Sequence, residues 1–207
     1  MPDRMRRTDL FSVPIWTADL DQFAPDLPRM IEVAEALLRE HPSPGELFSQ
    51  SSAVLQDDPD PAWIEFFRVL AAMMARIINR EMPPHYPFER AFLKSWVLRI
   101  DDVAEFERTG STLNALHSHI PAVLSSVLYL RVPDDLLDAS TGGTTFKDPN
   151  SVNTRAYLRP EFHVAPAPLR LVIFPAWLEH LPERPAPGLR LDTPRLIVST
   201  DLRVELN

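Results

Sequence analysis

Eight prolines fall between Pro160 and Pro194, and that density sets the tightest limit on what this chain can fold into. Each proline removes a backbone donor and clashes with the preceding helical turn, so no long helix can cross the stretch. The segments between them, Phe162–Val164 and Leu169–Phe174, are short and apolar, and Arg195–Val204 follows Pro194. Apolar runs bounded by turn residues read as strands joined by tight loops. Upstream, Phe92–Ile100 (FLKSWVLRI) and Val123–Val132 have the same character.

The first 90 residues follow another period. Leu10–Trp16 (LFSVPIW) is a short apolar segment whose proline predicts an edge strand. Pro25–Glu40 predicts a first helix, with Pro28 near its start and Met30, Ile31, Val33, Leu37 and Leu38 in one stripe. The polar stretch Gln50–Pro61 carries Asp57, Asp58 and Asp60 ahead of Pro61, a helix-start signal. From Pro61 to Glu81, Trp63, Phe66, Phe67, Leu70, Met73, Met74, Ile77 and Ile78 recur at helical spacing. So wide a band predicts a helix lying flat on a sheet, its aromatic and Met stripe serving as core. Two helices followed only by strands imply an α+β, mainly β chain, the helices bracing one face of a sandwich or barrel. A single domain over residues 1–207 is expected, with 1–90 a helical lead-in packed on a 91–207 β core.

Charge and composition exclude several classes. A net charge of −8 lacks the basic footprint that nucleic acid requires. With no cysteine there is no disulfide, thiolate metal site or cysteine nucleophile. No apolar run approaches the roughly 18 residues a membrane helix needs, and no apolar region follows the basic start; a cytoplasmic location is expected. Neither a nucleophile elbow nor a phosphate-binding glycine loop occurs, Gly142-Gly143 being the one glycine pair.

Chemistry concentrates in Leu116–Arg131, LHSHIPAVLSSVLYLR. His117 and His119 stand at the mouth of a strand-like run, and strand alternation sets them on one face about 7 Å apart. His180 arrives after the run LRLVIFPAW, in a neighbourhood, FPAWLEH, that predicts a turn exposing its ring. Three imidazoles on one face suit a first-row transition metal and leave positions open for substrate. His41, His85 and His163 have no partner at ligand spacing and read as structural. Asp101-Asp102 and Asp134-Asp135 read as solvated loop carboxylates, and Asp148 in FKDPN as a turn cap after a short strand. Arg195 opens the last strand, where it would serve as an ion-pair partner or, facing a metal, bind a carboxylate bidentately.

The segments SWVLRI, LHSHIPAVLSSVLYLRVP, GGTTFKDPN, FHVAPAPLRLVIFPAWLEHLPERP and PRLIVSTDL together resemble a branch of the 2-oxoglutarate- and Fe(II)-dependent oxygenases, in the prolyl-hydroxylase-like superfamily. The resemblance spans about Trp96 to Asp201, with LFSVPIW and the helices similar to the usual lead-in. It implies a double-stranded β-helix, or jelly roll. It maps His117 and His180 to two histidine ligands, and His119 to the place of the acidic ligand in most relatives. Arg195 maps to the arginine holding the far carboxylate of 2-oxoglutarate, and Tyr129 to a tyrosine lining that pocket. Ser126 and Leu169-Arg170 depart from glycines of the branch. Ile197 replaces a serine that helps hold the co-substrate, so Ser199 or Tyr129 is expected to assist instead. The third ligand is His119 or, if the strand before it reaches the metal, Asp148. The implied cofactors are Fe(II) and 2-oxoglutarate, and the implied reaction is hydroxylation of a small molecule or peptide with release of succinate and CO2. Alternatives are a three-histidine cupin-type dioxygenase or isomerase needing no 2-oxoglutarate, and a jelly-roll binding module without chemistry. Substrate recognition is expected from loops Ser43–Asp60, Asp102–Asn114 and Asp134–Leu158; oligomeric state is not legible.

Overall fold

The computed structural model describes residues 12–43, 49–81, 88–100, 116–139, 141–149, 161–183 and 193–206. Strand β1 (Trp16–Asp19) leads into α1 (Leu27–Glu40), and the two-residue β2 (Ser49–Gln50) precedes α2 (Pro61–Glu81). Then come β3 (Phe88–Ile100), β4 (Leu124–Arg131), α3 (Asp134–Ala139), β5 (Thr144–Lys147) and β6 (Glu161–Val164). The last are β7 (Arg170–Pro175), β8 (His180–Pro182) and β9 (Arg195–Leu206). They form two antiparallel sheets, a major one ordered β1-β7-β4-β9-β3-β2 and a minor one ordered β6-β5-β8. The fold is mixed α+β with more strand than helix, two antiparallel sheets as in a double-stranded β-helix.

Alternation along the major strands sorts their side chains into two cores. On one face Val97, Leu124, Leu128, Leu171, Ile173, Leu196, Val198 and Leu202 meet the buried sides of α1 and α2. There Trp63 is fully buried, edge-on to Phe66 at 5.5 Å between ring centroids and stacked near Phe67 at 5.8 Å. On the other face Ile100, Val127, Tyr129, Val172, Phe174 and Ile197 meet Phe146 and Val164 of the minor sheet. The helices thus cover one face of the major sheet, and the minor sheet covers the other.

The second helix occupies the range its periodicity predicts, and the first begins two residues later, at Leu27. The edge strand starts only at Trp16, pairing Trp16 with Ile173 and Asp19 with Arg170, because Pro14 has no N–H to offer a ladder. Two elements in stretches expected to be loop or turn are α3 and β8. Asp134 and Asp135 accordingly lie exposed in the first turn of a helix, where negative charge suits the helix dipole. Residues 101–115, including Asp101-Asp102, and His85 lie outside the described residues.

A candidate metal centre between the sheets

The HSH segment is a loop stitched down by backbone hydrogen bonds rather than a strand. His117 and His180 exchange both N–H···O bonds, at 3.1 and 3.0 Å, so their side chains leave the same side of one antiparallel bridge. His119 N–H donates to the Ala176 carbonyl at 2.7 Å, and Val123 N–H to Leu202 at 2.8 Å. The PAW turn after β7 therefore positions both histidine segments, and it does so without side chains.

The three rings converge. Ring centroids of His117 and His119 are 5.2 Å apart, of His117 and His180 4.5 Å, and of His119 and His180 5.0 Å. One nitrogen from each falls within 4.8 Å of the others. His117 is exposed, His119 half-buried and His180 only 3% exposed. This corrects the expected exposed turn at His180: the residue begins β8, and Phe174 and Phe146 cover its ring at 4.5 and 5.9 Å. Burial, followed by repulsion from His117, pushes the His180 pKa down to about 3. Its Nδ1 lies 3.0 Å from the Leu178 carbonyl, which holds the proton there and turns Nε2 toward the other rings.

Asp148 follows β5 but stands outside this group, whose members among the described residues are the three histidines alone. His163 sits apart as well, its Nδ1 3.2 Å from Glu183 Oε2 and 3.3 Å from Thr145 Oγ1. Arg195 is 1% exposed and donates from Nη1 to the Gly142 carbonyl. Tyr129 is buried beside it and bonds Thr144 Oγ1 at 2.7 Å. Burial raises the Tyr129 pKa to about 12, so the phenol stays neutral. Phe146, Thr144 and Gly142, alternate residues leading along β5, thus run from His180 through Tyr129 to the Arg195 guanidinium. Ser199 is buried on β9, paired with Trp96 and Val127.

A residue not anticipated from the sequence completes the surroundings. Asp201, 2% exposed, brings Oδ1 to 2.9 Å from His119 Nδ1, while Trp96 stacks on the same ring at 5.6 Å. The signal was available: Arg195, Ile197, Ser199 and Asp201 alternate onto one face of β9. At the rim, Leu116, Ile120 and Trp177 are large exposed apolar side chains. Beside Trp96 a cleft of about 350 Å³ is lined by Lys94, Arg203, Ser43, Ser51 and Ser52.

Residues 106–191, less than half of the chain, match the family described as "Putative 2OG-Fe(II) oxygenase". Over this stretch the chain is similar to the 2OG-Fe(II) oxygenases. The fold agrees over nearly the whole length. A Pseudomonas putida prolyl-4-hydroxylase superposes with TM-score 0.62 at 12% identity, covering 93% of each chain. A Trichoplax adhaerens prolyl hydroxylase, solved with a hypoxia-inducible-factor peptide, gives 0.60 at 12% identity, covering 91% of this chain and 82% of its own. HygX from Streptomyces hygroscopicus, solved with nickel and 2-oxoglutarate, gives 0.55 at 11% identity, covering 92% and 82%. No curated protein matches in sequence.

The three-histidine donor set fits an Fe(II) ion. Imidazole is a good ligand for Fe(II), and a buried His180 held neutral keeps its lone pair available near neutral pH. Asp201 Oδ1 and Ser125 Oγ, on directly paired residues of β9 and β4, are buried without hydrogen-bond partners, as polar groups around a metal site would be before it fills.

Proposed function

We propose that this chain is an Fe(II)- and 2-oxoglutarate-dependent oxygenase that hydroxylates a small molecule or peptide, releasing succinate and CO2. The observation that carries the reading is the convergence of His117, His119 and His180 between the sheets, with Arg195 and Tyr129 deeper along the same strand path. His117, His119 and His180 would hold the metal, His119 in the place where most relatives carry an acid. Arg195 would fix the far carboxylate of 2-oxoglutarate by a charge-assisted fork, with Tyr129 and Ser199 beside it. Iron and 2-oxoglutarate supply the oxidising chemistry when bound. The protein's own part is to orient the substrate and keep water out: Phe146, Phe174 and Val127 make the walls apolar. The exposed Leu116, Ile120 and Trp177 offer an apolar entrance to that space.

The deciding experiment is anaerobic loading with Fe(II) and 2-oxoglutarate, followed by O₂ and assay of succinate. Wild type is expected to release succinate, His180→Ala to lose it, and Arg195→Ala to need far more co-substrate. Loss of a bidentate charged pair is worth about 2–5 kcal/mol, and Arg195→Lys should recover only part of it. A second reading, a three-histidine cupin-type enzyme, draws on the all-imidazole donor set. Metal-dependent turnover without succinate, unaffected by Arg195→Ala, would select it.

A further inference from the structure

We propose that Asp201 is a positioning residue for the metal centre, giving it through His119 the negative charge that its ligands themselves lack. The inference rests on the reading that the three histidines hold a metal. Three neutral imidazoles leave a divalent ion with its full charge, in a site walled by Phe174, Phe146 and Trp96. A buried carboxylate nearby is then either a coincidence or the compensating anion.

Four observations favour the second. Asp201 is 2% exposed in the interior, where a carboxylate oxygen left without a partner is costly. Its Oδ1 stands 2.9 Å from His119 Nδ1 and has no hydrogen-bond partner of its own, so a small rotation of the imidazole would complete an N–H···O bond. Its Oδ2 is anchored at 3.4 Å by Arg203, a residue one-third exposed. Trp96 stacks on the His119 ring with an interplanar angle of 18°, limiting how that ring can tilt. With the bond to Asp201 made, the proton is held on Nδ1 and His119 presents Nε2 to the other two rings. His180 is arranged in the same way by the Leu178 carbonyl, but with a neutral acceptor. A carboxylate behind a ligating histidine makes the ligand more basic as well as fixing its tautomer. His119 backed by Asp201 therefore stands in for an anionic ligand.

The test uses Co(II) as probe, titrated into the metal-free protein and followed by its visible ligand-field bands. Wild type is expected to bind one Co(II). Asp201→Asn, nearly the same shape, is expected to weaken binding by about 10–100-fold and to move the bands. In a His119→Ala background the same change should add little, because Asp201 acts through that ring. If Asp201→Asn does not fold, Asp201→Ala with added formate serves, formate being expected to restore affinity. Asp201→Asn with wild-type affinity and spectrum, an equal loss in the His119→Ala background, or absence of rescue by formate in a folded Asp201→Ala protein would overturn the proposal while leaving the three-histidine site standing. Failure of wild type to bind Co(II), or undiminished binding by His180→Ala, would remove that site and this inference together.

Discussion

At the scale of single residues, the candidate metal centre combines groups in opposite surroundings. His117 is exposed while His180 lies behind Phe174 and Phe146, so acid reaches them differently. Folded, His180 stays neutral down to about pH 3; unfolded, it takes a proton near 6.5. Below 6.5 the unfolded chain therefore binds the extra proton, and stability present at neutral pH is lost as pH falls from 6.5 toward 3. The slope from this one group is about 1.4 kcal/mol per pH unit. Urea unfolding of metal-free protein at pH 7.5 and 5.5 should show that loss, and His180→Leu should show less of it. Equal losses in the two proteins would mean that burial does not hold the ring neutral.

Among the elements, the glycine pair before β5 shows how close the backbone comes to the site. Gly142 has φ +78°, and a Cβ there would meet Leu136 at 2.9 Å and Arg195 Nη1 at 3.4 Å. Gly143 is tighter, since a Cβ would stand 1.9 Å from the Val164 carbonyl oxygen on β6. No rotamer relieves a clash with backbone, so Gly143→Ala must push β5 from β6. It is expected to cost upwards of about 3 kcal/mol, read as a lowered urea midpoint. A change within about 0.5 kcal/mol would show that β6 yields freely. Leu169 makes the reverse compromise, holding φ at +62° where the resembled branch has glycine nearby. Its side chain is 4% exposed in the helix-side core, and that burial, worth about 2 kcal/mol, offsets the strain.

Across the whole molecule, the major sheet divides stability from chemistry. Its outer face and both long helices form one core, and its inner face with the minor sheet forms the other. Trp63→Ala should therefore cost about 3–5 kcal/mol of stability while leaving Co(II) affinity within about twofold. Chemical denaturation and the metal titration together measure both. A large loss of affinity in a folded Trp63→Ala protein would mean that the two faces are coupled.

Much of this was legible along the chain because it depends on local period and bond geometry. The helical repeat from Trp63 to Ile78 located α2 to the residue, and the prolines after Pro160 enforced short strands whatever their partners. The spacing of His117 and His119 announced a shared face, although the loop that carries them is no strand. The burial of His180 and its pairing with His117 were decided only in three dimensions, because the chain is silent about which strand covers which turn. Asp148 fell outside the cluster for a similar reason, its place depending on how far β5 runs. Asp201 is the clearest case. Alternation from Arg195 puts Asp201 on the same face of β9, but its meeting with His119 exists only because β9 lies beside β4 in one register, setting Asp201 opposite Ser125.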